Sequence, residues 1–228
     1  AVGYSSLSAN TTGTNNVAVG AFAGDANTTG SSNVAVGMNS LTDNTEGANN
    51  VAVGLSALAN NTTASNNTGI GYGVLEANTT GANNTALGQG ALDANTTADN
   101  NVAVGASSLS ANTTGTANTA IGMQSLKANT TASNNTAIGL NALLSNTTGG
   151  NNVAVGSGAL DGTDDGANNT AVGFGSLSVN CGNNNTAMGT EAARICTGTL
   201  NTCIGADAGY SLTSGSNNTF IGNQAGLT

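Results

Sequence analysis

The chain has 228 residues, of which 38 are Asn, 34 Thr and 34 Gly, and its 2 basic and 11 acidic side chains give a net charge of −9. Lys127 and Arg194 alone make no cationic footprint for a phosphate backbone, so nucleic acid is excluded as a partner. The absence of His removes the commonest general base and metal ligand, and no apolar run approaches the roughly 18 residues that a membrane span needs.

A disordered chain combines few apolar residues with high charge. Here 38% of residues are apolar and only 6% charged, so the bias needs another explanation. It is periodic. A Gly recurs at Gly3, Gly20, Gly37, Gly54, Gly71, Gly88, Gly105, Gly122, Gly139, Gly156 and Gly173, always 17 apart; Gly189 and Gly205 follow at steps of 16, and Gly222 at 17. One unit reads Gly-x-x-x-Leu-x-x-Asn-Thr-Thr-Gly-x-x-Asn-(Val/Thr)-Ala-(Val/Ile). Such a period is too short for a helical pair and fits one turn of a parallel β-solenoid, or β-roll. The expected fold is therefore all-β with about 17 residues per coil. Regular coils fill residues 1–172, and shortened, irregular, Cys-containing coils continue through 173–228.

Within a coil, the first element is a short strand such as Asn16-Val17-Ala18-Val19-Gly20. Alternation puts its first and third residues on one face and the Ala on the other. The third position is always Val, Ile, Leu or Met, which predicts that it points into the coil and meets the Leu four residues after Gly (Leu7, Leu41, Leu58, Leu75 and onward). The Ala face (Ala18, Ala35, Ala52 and their equivalents) is then left as a smooth outer stripe. A strand apolar on both faces reads as covered on both, so that stripe is the expected surface for self-association, as a homotrimer or an end-to-end fibre. The strand-end Gly, and the Gly after Thr-Thr, fit backbone with positive φ or close approach.

Two Asn columns run along the chain. The first precedes the strand: Asn16, Asn33, Asn50, Asn67, Asn84, Asn101, Asn118, Asn135, Asn152, Asn169, Asn185, Asn201 and Asn218. Stacked about 4.8 Å apart, these amides suit a structural hydrogen-bonded ladder. The second opens the Thr-Thr turn and includes the sequons at Asn10, Asn27, Asn61, Asn78, Asn95, Asn112, Asn129 and Asn146, candidate glycosylation sites if they face water. Sequons recur at Asn66, Asn83, Asn134, Asn168, Asn184 and Asn217, as composition alone would produce. The adjacent Thr column (Thr11, Thr28, Thr62 and equivalents) raises ice binding as a further reading.

Near the C-terminus the pattern breaks. Asp161, Asp164 and Asp165 form a small acidic turn, a weak Ca²⁺ candidate against the simpler reading of a solvated turn. Cys181, placed just after the turn Asn180, and Cys196, in the Asn slot of the next coil, are 15 apart, which brings stacked neighbours within disulfide range. Such a bridge fits an oxidising, extracellular setting. Cys203 takes an Ala position of the strand.

No constellation of nucleophile, base or paired carboxylates survives, and no cofactor or metal site beyond that weak candidate is read, so a non-enzyme is expected. The motif Asn-(Val/Thr)-Ala-(Val/Ile)-Gly-x-x-(Ala/Ser)-Leu resembles the YadA-like head repeats of trimeric autotransporter adhesins, and similar Asn-Thr-Thr-Gly runs occur in phage tail-fibre proteins. The resemblance covers essentially the whole chain. It implies a left-handed roll, three chains around an axis, and an extracellular or cell- or virion-surface module that is structural or adhesive, with host surfaces or glycans as partners. The family's head repeats are commonly shorter and lack the Asn-Thr-Thr insert. The alternatives are a self-assembling, glycosylated extracellular fibril or a phage tail-fibre shaft. Ala1 as first residue, entering mid-strand, reads as a processed or excerpted segment.

Overall fold

The computed structural model describes residues 1–227, and every regular element in them is a three-residue strand. The chain divides into two compact units, Ala1–Thr116 and Ala117–Thr228. Unit 1 carries β1 (Val17–Val19), β2 (Val34–Val36), β3 (Val51–Val53), β4 (Thr68–Ile70), β5 (Thr85–Leu87) and β6 (Val102–Val104). Unit 2 carries β7 (Thr119–Ile121), β8 (Thr136–Ile138), β9 (Val153–Val155), β10 (Thr170–Val172), β11 (Thr186–Met188), β12 (Thr202–Ile204) and β13 (Thr219–Ile221). Within each unit consecutive strands pair in parallel, residue for residue with the equivalent position one coil on. This is a parallel β-solenoid with about 17 residues per coil.

The strand faces are the reverse of the sequence expectation. The middle Ala is the inward residue: Ala18, Ala35, Ala52, Ala103 and Ala137 are all at most 2% exposed. The flanking residues face out, with Val19 at 41%, Leu87 at 44% and Met188 at 43% exposure. Space decides this. The coil interior already holds the Leu column, with Leu41, Leu58, Leu75, Leu92, Leu109, Leu126, Leu143, Leu160 and Leu177 fully buried. The side chain of Leu58 reaches the strand centre itself, lying 3.4 Å from where a Cβ on Gly69 would stand. Two branched residues facing that Leu would overfill the coil, whereas one Ala fits. The Ala stripe is thus core and cannot be the association surface.

The Leu column has a backbone feature that composition did not announce. Leu41, Leu58 and Leu92 sit at φ of 53°, 52° and 54°, and a residue two positions earlier, such as Asn39 or Ser56, is also left-handed. A non-glycine residue in that region is uncommon. Alternating hand lets the segment after the strand run as a flat ribbon whose backbone bonds to the neighbouring coils, for example Leu41 N to Ala57 O and Asn39 N to Ala21 O. The strand-end Gly has φ near 135°, and at Gly54 a Cβ would fall on the carbonyl oxygen of Gly71. That column requires Gly. The turn column does not: Ala64, Ala98 and Ala132 take its place and are buried.

Candidate functional site

Three surfaces or columns carry the chemistry of this fold. The first is the outward apolar stripe. In each unit it combines the flanking strand residues with the residue after the strand-end Gly. In unit 1 the latter include Tyr4, Met38, Leu55 and Tyr72, and in unit 2 Met123, Leu140 and Phe174, all exposed. Tyr4 and Phe22 pack edge to face at 5.3 Å between ring centroids. No charged side chain occurs in any strand or at the position after the strand-end Gly. The sequence held a signal for the stripe's direction: a strand position that accepts Thr68, Thr85 and Thr119 as readily as Val is a position facing water.

The second feature is the pre-strand Asn column. Asn33, Asn50, Asn67, Asn84, Asn101, Asn118, Asn135, Asn152, Asn169, Asn185 and Asn201 are all buried. Within each unit each Oδ1 accepts from the backbone N–H of the next Asn in the column, as from Asn50 N to Asn33 Oδ1 at 2.9 Å. Their Nδ2 atoms reach a turn carbonyl of the next coil, as from Asn50 to Ala64 O at 2.8 Å, except that of Asn169, which is buried without a partner. The ladder is therefore mainly side chain to backbone, with amide-to-amide bonds added from Asn185, Asn201 and Asn218. These bonds satisfy buried backbone groups at a corner where no strand can.

The third is the turn Asn column, where amides do stack on amides. Asn44 Nδ2 donates to Asn27 Oδ1 at 2.8 Å and to Gly47 O at 3.0 Å, and Asn61 Nδ2 donates to Asn44 Oδ1 at 2.8 Å. Of the sequons in this column, Asn27, Asn61, Asn78, Asn95, Asn112, Asn129 and Asn146 are buried, and only Asn10 in the first coil is exposed. The nitrogen that a sugar would occupy is engaged in this packing, as at Asn61 and Asn78, where it makes two hydrogen bonds. The other sequon asparagines, Asn66, Asn83, Asn134, Asn168, Asn184 and Asn217, are exposed and left-handed. Of the paired threonines, the first turns its hydroxyl back onto the next coil, as from Thr28 Oγ1 to Thr45 O at 2.9 Å, and beyond the first coil only the second is exposed.

In unit 2 the turn column changes chemistry. Asn146 is followed by Thr163, and Asn146 Oδ1 is left buried without a partner. Cys181 itself enters the column, not Asn180. It is buried with its Sγ 3.3 Å from Thr163 Oγ1, while Asn180 is exposed and accepts from Asp164 N. Cys196 comes next and accepts from Asn201 Nδ2 at 3.3 Å. Cys181 and Cys196, the pair read as a disulfide, are buried free thiols, as is Cys203. Burial raises all three, pushing Cys203 up to about 11 with a further contribution from Cys196. They are protonated at neutral pH and poorly nucleophilic.

The three acids of the C-terminal turn do not converge. Asp164 Oδ1 accepts from the hydroxyl of Thr147, and Asp161 lines a separate notch with Arg194. Among the described residues no group of three or more His, Cys, Asp or Glu side chains could hold a metal ion. Nor is any helix there long and apolar enough to cross a membrane. Neither the protein-family models nor the curated proteins contain a match to this chain.

Proposed function

We propose that this chain is a non-enzymatic fibrous module of a surface adhesin or fibre, extracellular in setting, and that it works by associating with further copies of itself. The outward apolar stripe carries this reading. Scattered apolar residues on a surface are ordinary, but a contiguous patch above a few hundred Å² marks an interaction site. The stripe runs over the six strands of unit 1, and a stable interface needs about 800 Å² per partner.

A second copy is the occupant that fits best. Its own stripe repeats at the same spacing, and it too is free of charge. The net charge of −9 lies entirely off the stripe, so two stripes meet without desolvating a carboxylate. The finer picture, three chains around an axis with left-handed coils, follows from the resemblance to head repeats.

Sedimentation equilibrium over a wide concentration range tests the reading. A three-chain mass is expected for the unaltered protein. Val36→Asp combined with Val53→Asp puts charge on the stripe without touching the core, and should give a folded single chain by circular dichroism. A single-chain mass for the unaltered protein at all concentrations would overturn the proposal.

A further inference from the structure

The turn column of unit 2 passes from amides to sulfur, and it does so in two successive coils. Cys181 follows Thr163 in the column, with its Sγ 3.3 Å from Thr163 Oγ1. Cys196 follows Cys181: its N–H bonds Ala193 O just as Asn61 N bonds Leu58 O, which fixes the equivalence with the turn asparagines. The residues after the two cysteines are joined directly, Gly182 N donating to Thr197 O at 3.2 Å. The thiols are therefore stacked neighbours, separated by one coil step of about 4.8 Å. Both lie inside the coil, Cys181 at 2% exposure and Cys196 at 0%.

Hydrogen-bond donors surround the pair. The Thr163 hydroxyl is within reach of Cys181 Sγ, and Asn201 Nδ2 donates to Cys196 Sγ at 3.3 Å. Asn169 supplies a third donor: the residue is fully buried and its Nδ2 has no partner. A Cβ on Gly166 would stand 3.1 Å from that nitrogen and closer still to the carbonyl oxygen of Cys181, so the amide belongs to the same corner. A neutral thiol is a weak acceptor and has little use for three donors. A thiolate does have a use for them, because buried negative charge is tolerated only where donors meet it.

We infer that Cys181 and Cys196 form a two-coordinate site, inside the coil, for a soft monovalent d10 metal ion such as Cu(I). Two metal–thiolate bonds of about 2.3 Å laid end to end span about 4.6 Å, close to one coil step. Soft ions select thiolate ligands, and linear coordination asks for no third one. Binding breaks two S–H bonds, releases both protons to solvent and forms two S–metal bonds, with no electron transferred. The product carries one negative charge, which the donors of Thr163, Asn201 and Asn169 meet. The site uses the coil interior and not the outward stripe, so it stands or falls separately from self-association.

The test is titration of the full chain, reduced and free of oxygen, with Cu(I) and with Ag(I) as a redox-inert probe, against a chromophoric competitor. Native mass spectrometry counts the ions bound. One ion per chain is expected, with an apparent affinity that rises about a hundredfold per pH unit near neutrality, as the release of two protons requires. Cys181→Thr and Cys196→Thr put into the column the residue that Thr163 already places there, and each should abolish the bound ion. Cys181→Ser and Cys196→Ser serve as second variants, and thermal melting confirms that each is folded. Thr163→Val removes a donor and should weaken binding by about tenfold. Cys203→Ala restores the usual strand residue and should keep one ion per chain. Absence of stoichiometric binding by the unaltered chain would overturn the inference. So would an ion retained by folded Cys181→Thr, an ion lost from folded Cys203→Ala, or a chain isolated with Cys181 and Cys196 already joined in a disulfide.

Discussion

Unit 1 and unit 2 are written with the same coil, but they spend different residues on its turn. In unit 1 the turn amides run from Asn27 through Asn44, Asn61, Asn78 and Asn95 to Asn112 without a break. In unit 2 the column passes from Asn146 to Thr163, Cys181 and Cys196. The pre-strand column keeps its backbone rungs, although Asn169 Nδ2 is left without a partner. It runs from Asn118 to Asn218, through the two coils shortened to 16 residues, with every Oδ1 still accepting from the next backbone N–H up to Asn218 N. Both single-residue deletions fall between the Leu slot and the pre-strand Asn, so the strand pairing keeps its register. The difference teaches that the pre-strand amide and the strand-end Gly hold the coil, while the turn amide supports it and is replaceable.

The largest effect that tests this division comes from truncating one amide of each kind in unit 1. Asn84→Ala orphans the backbone N–H of Asn101 and leaves the carbonyl of Ala98 with Asn95 Nδ2 as its remaining donor. It should cost about 2–3 kcal/mol, chiefly the penalty for one buried unpaired N–H. Asn78→Ala removes a rung that unit 2 lives without, and should cost about 1–2 kcal/mol. Denaturant unfolding of the two variants measures the gap, and equal losses would erase the distinction.

A smaller effect, opposite in sign, is expected in unit 2. Thr163→Asn restores a donor opposite the unpartnered Asn146 Oδ1 and should stabilise by about 0.5–1.5 kcal/mol. A destabilised Thr163→Asn would mean that the hydroxyl–thiol contact to Cys181 matters more than the broken ladder.

The smallest effect is a pH dependence shared by both units. Asp93 in unit 1 and Asp161 in unit 2 have carboxyls held above their ordinary 3.8, chiefly by burial. Beside Asp93, Glu76 adds to the rise; beside Asp161, Arg194 opposes it. The folded chain thus binds these protons more tightly than the unfolded one. Their contribution to stability is complete below 3.8 and is lost as pH rises through the raised folded values. The melting temperature should fall modestly over that window, and Asp93→Asn should flatten the fall. Unchanged slope in Asp93→Asn would assign the dependence to other groups.

Much of the coil was legible because its parts are periodic. The 17-residue Gly spacing gives the coil length, the Leu column gives the core, and the pre-strand Asn column gives a ladder. The strand's inward face was not legible from hydrophobicity, since Val19 and Ala18 are both apolar. Only volume decides which fits beside a Leu, and volume depends on how far the opposite wall stands. The left-handed Leu was hidden for a related reason: its side chain wins a fully buried place that offsets an unfavourable backbone, a tertiary effect no local preference reports.

Two Asn columns are buried rungs, while a third set of Asn residues is mere surface. Side-chain amide hydrogen exchange, followed by NMR on the assigned chain, tests it most directly. The Nδ2 protons of Asn50, Asn67 and Asn84, and of Asn44, Asn61 and Asn78, should exchange slowly. Those of the exposed Asn66, Asn83 and Asn100 should exchange at close to the rate of a free amide. Uniformly fast exchange across all three sets would contradict the account.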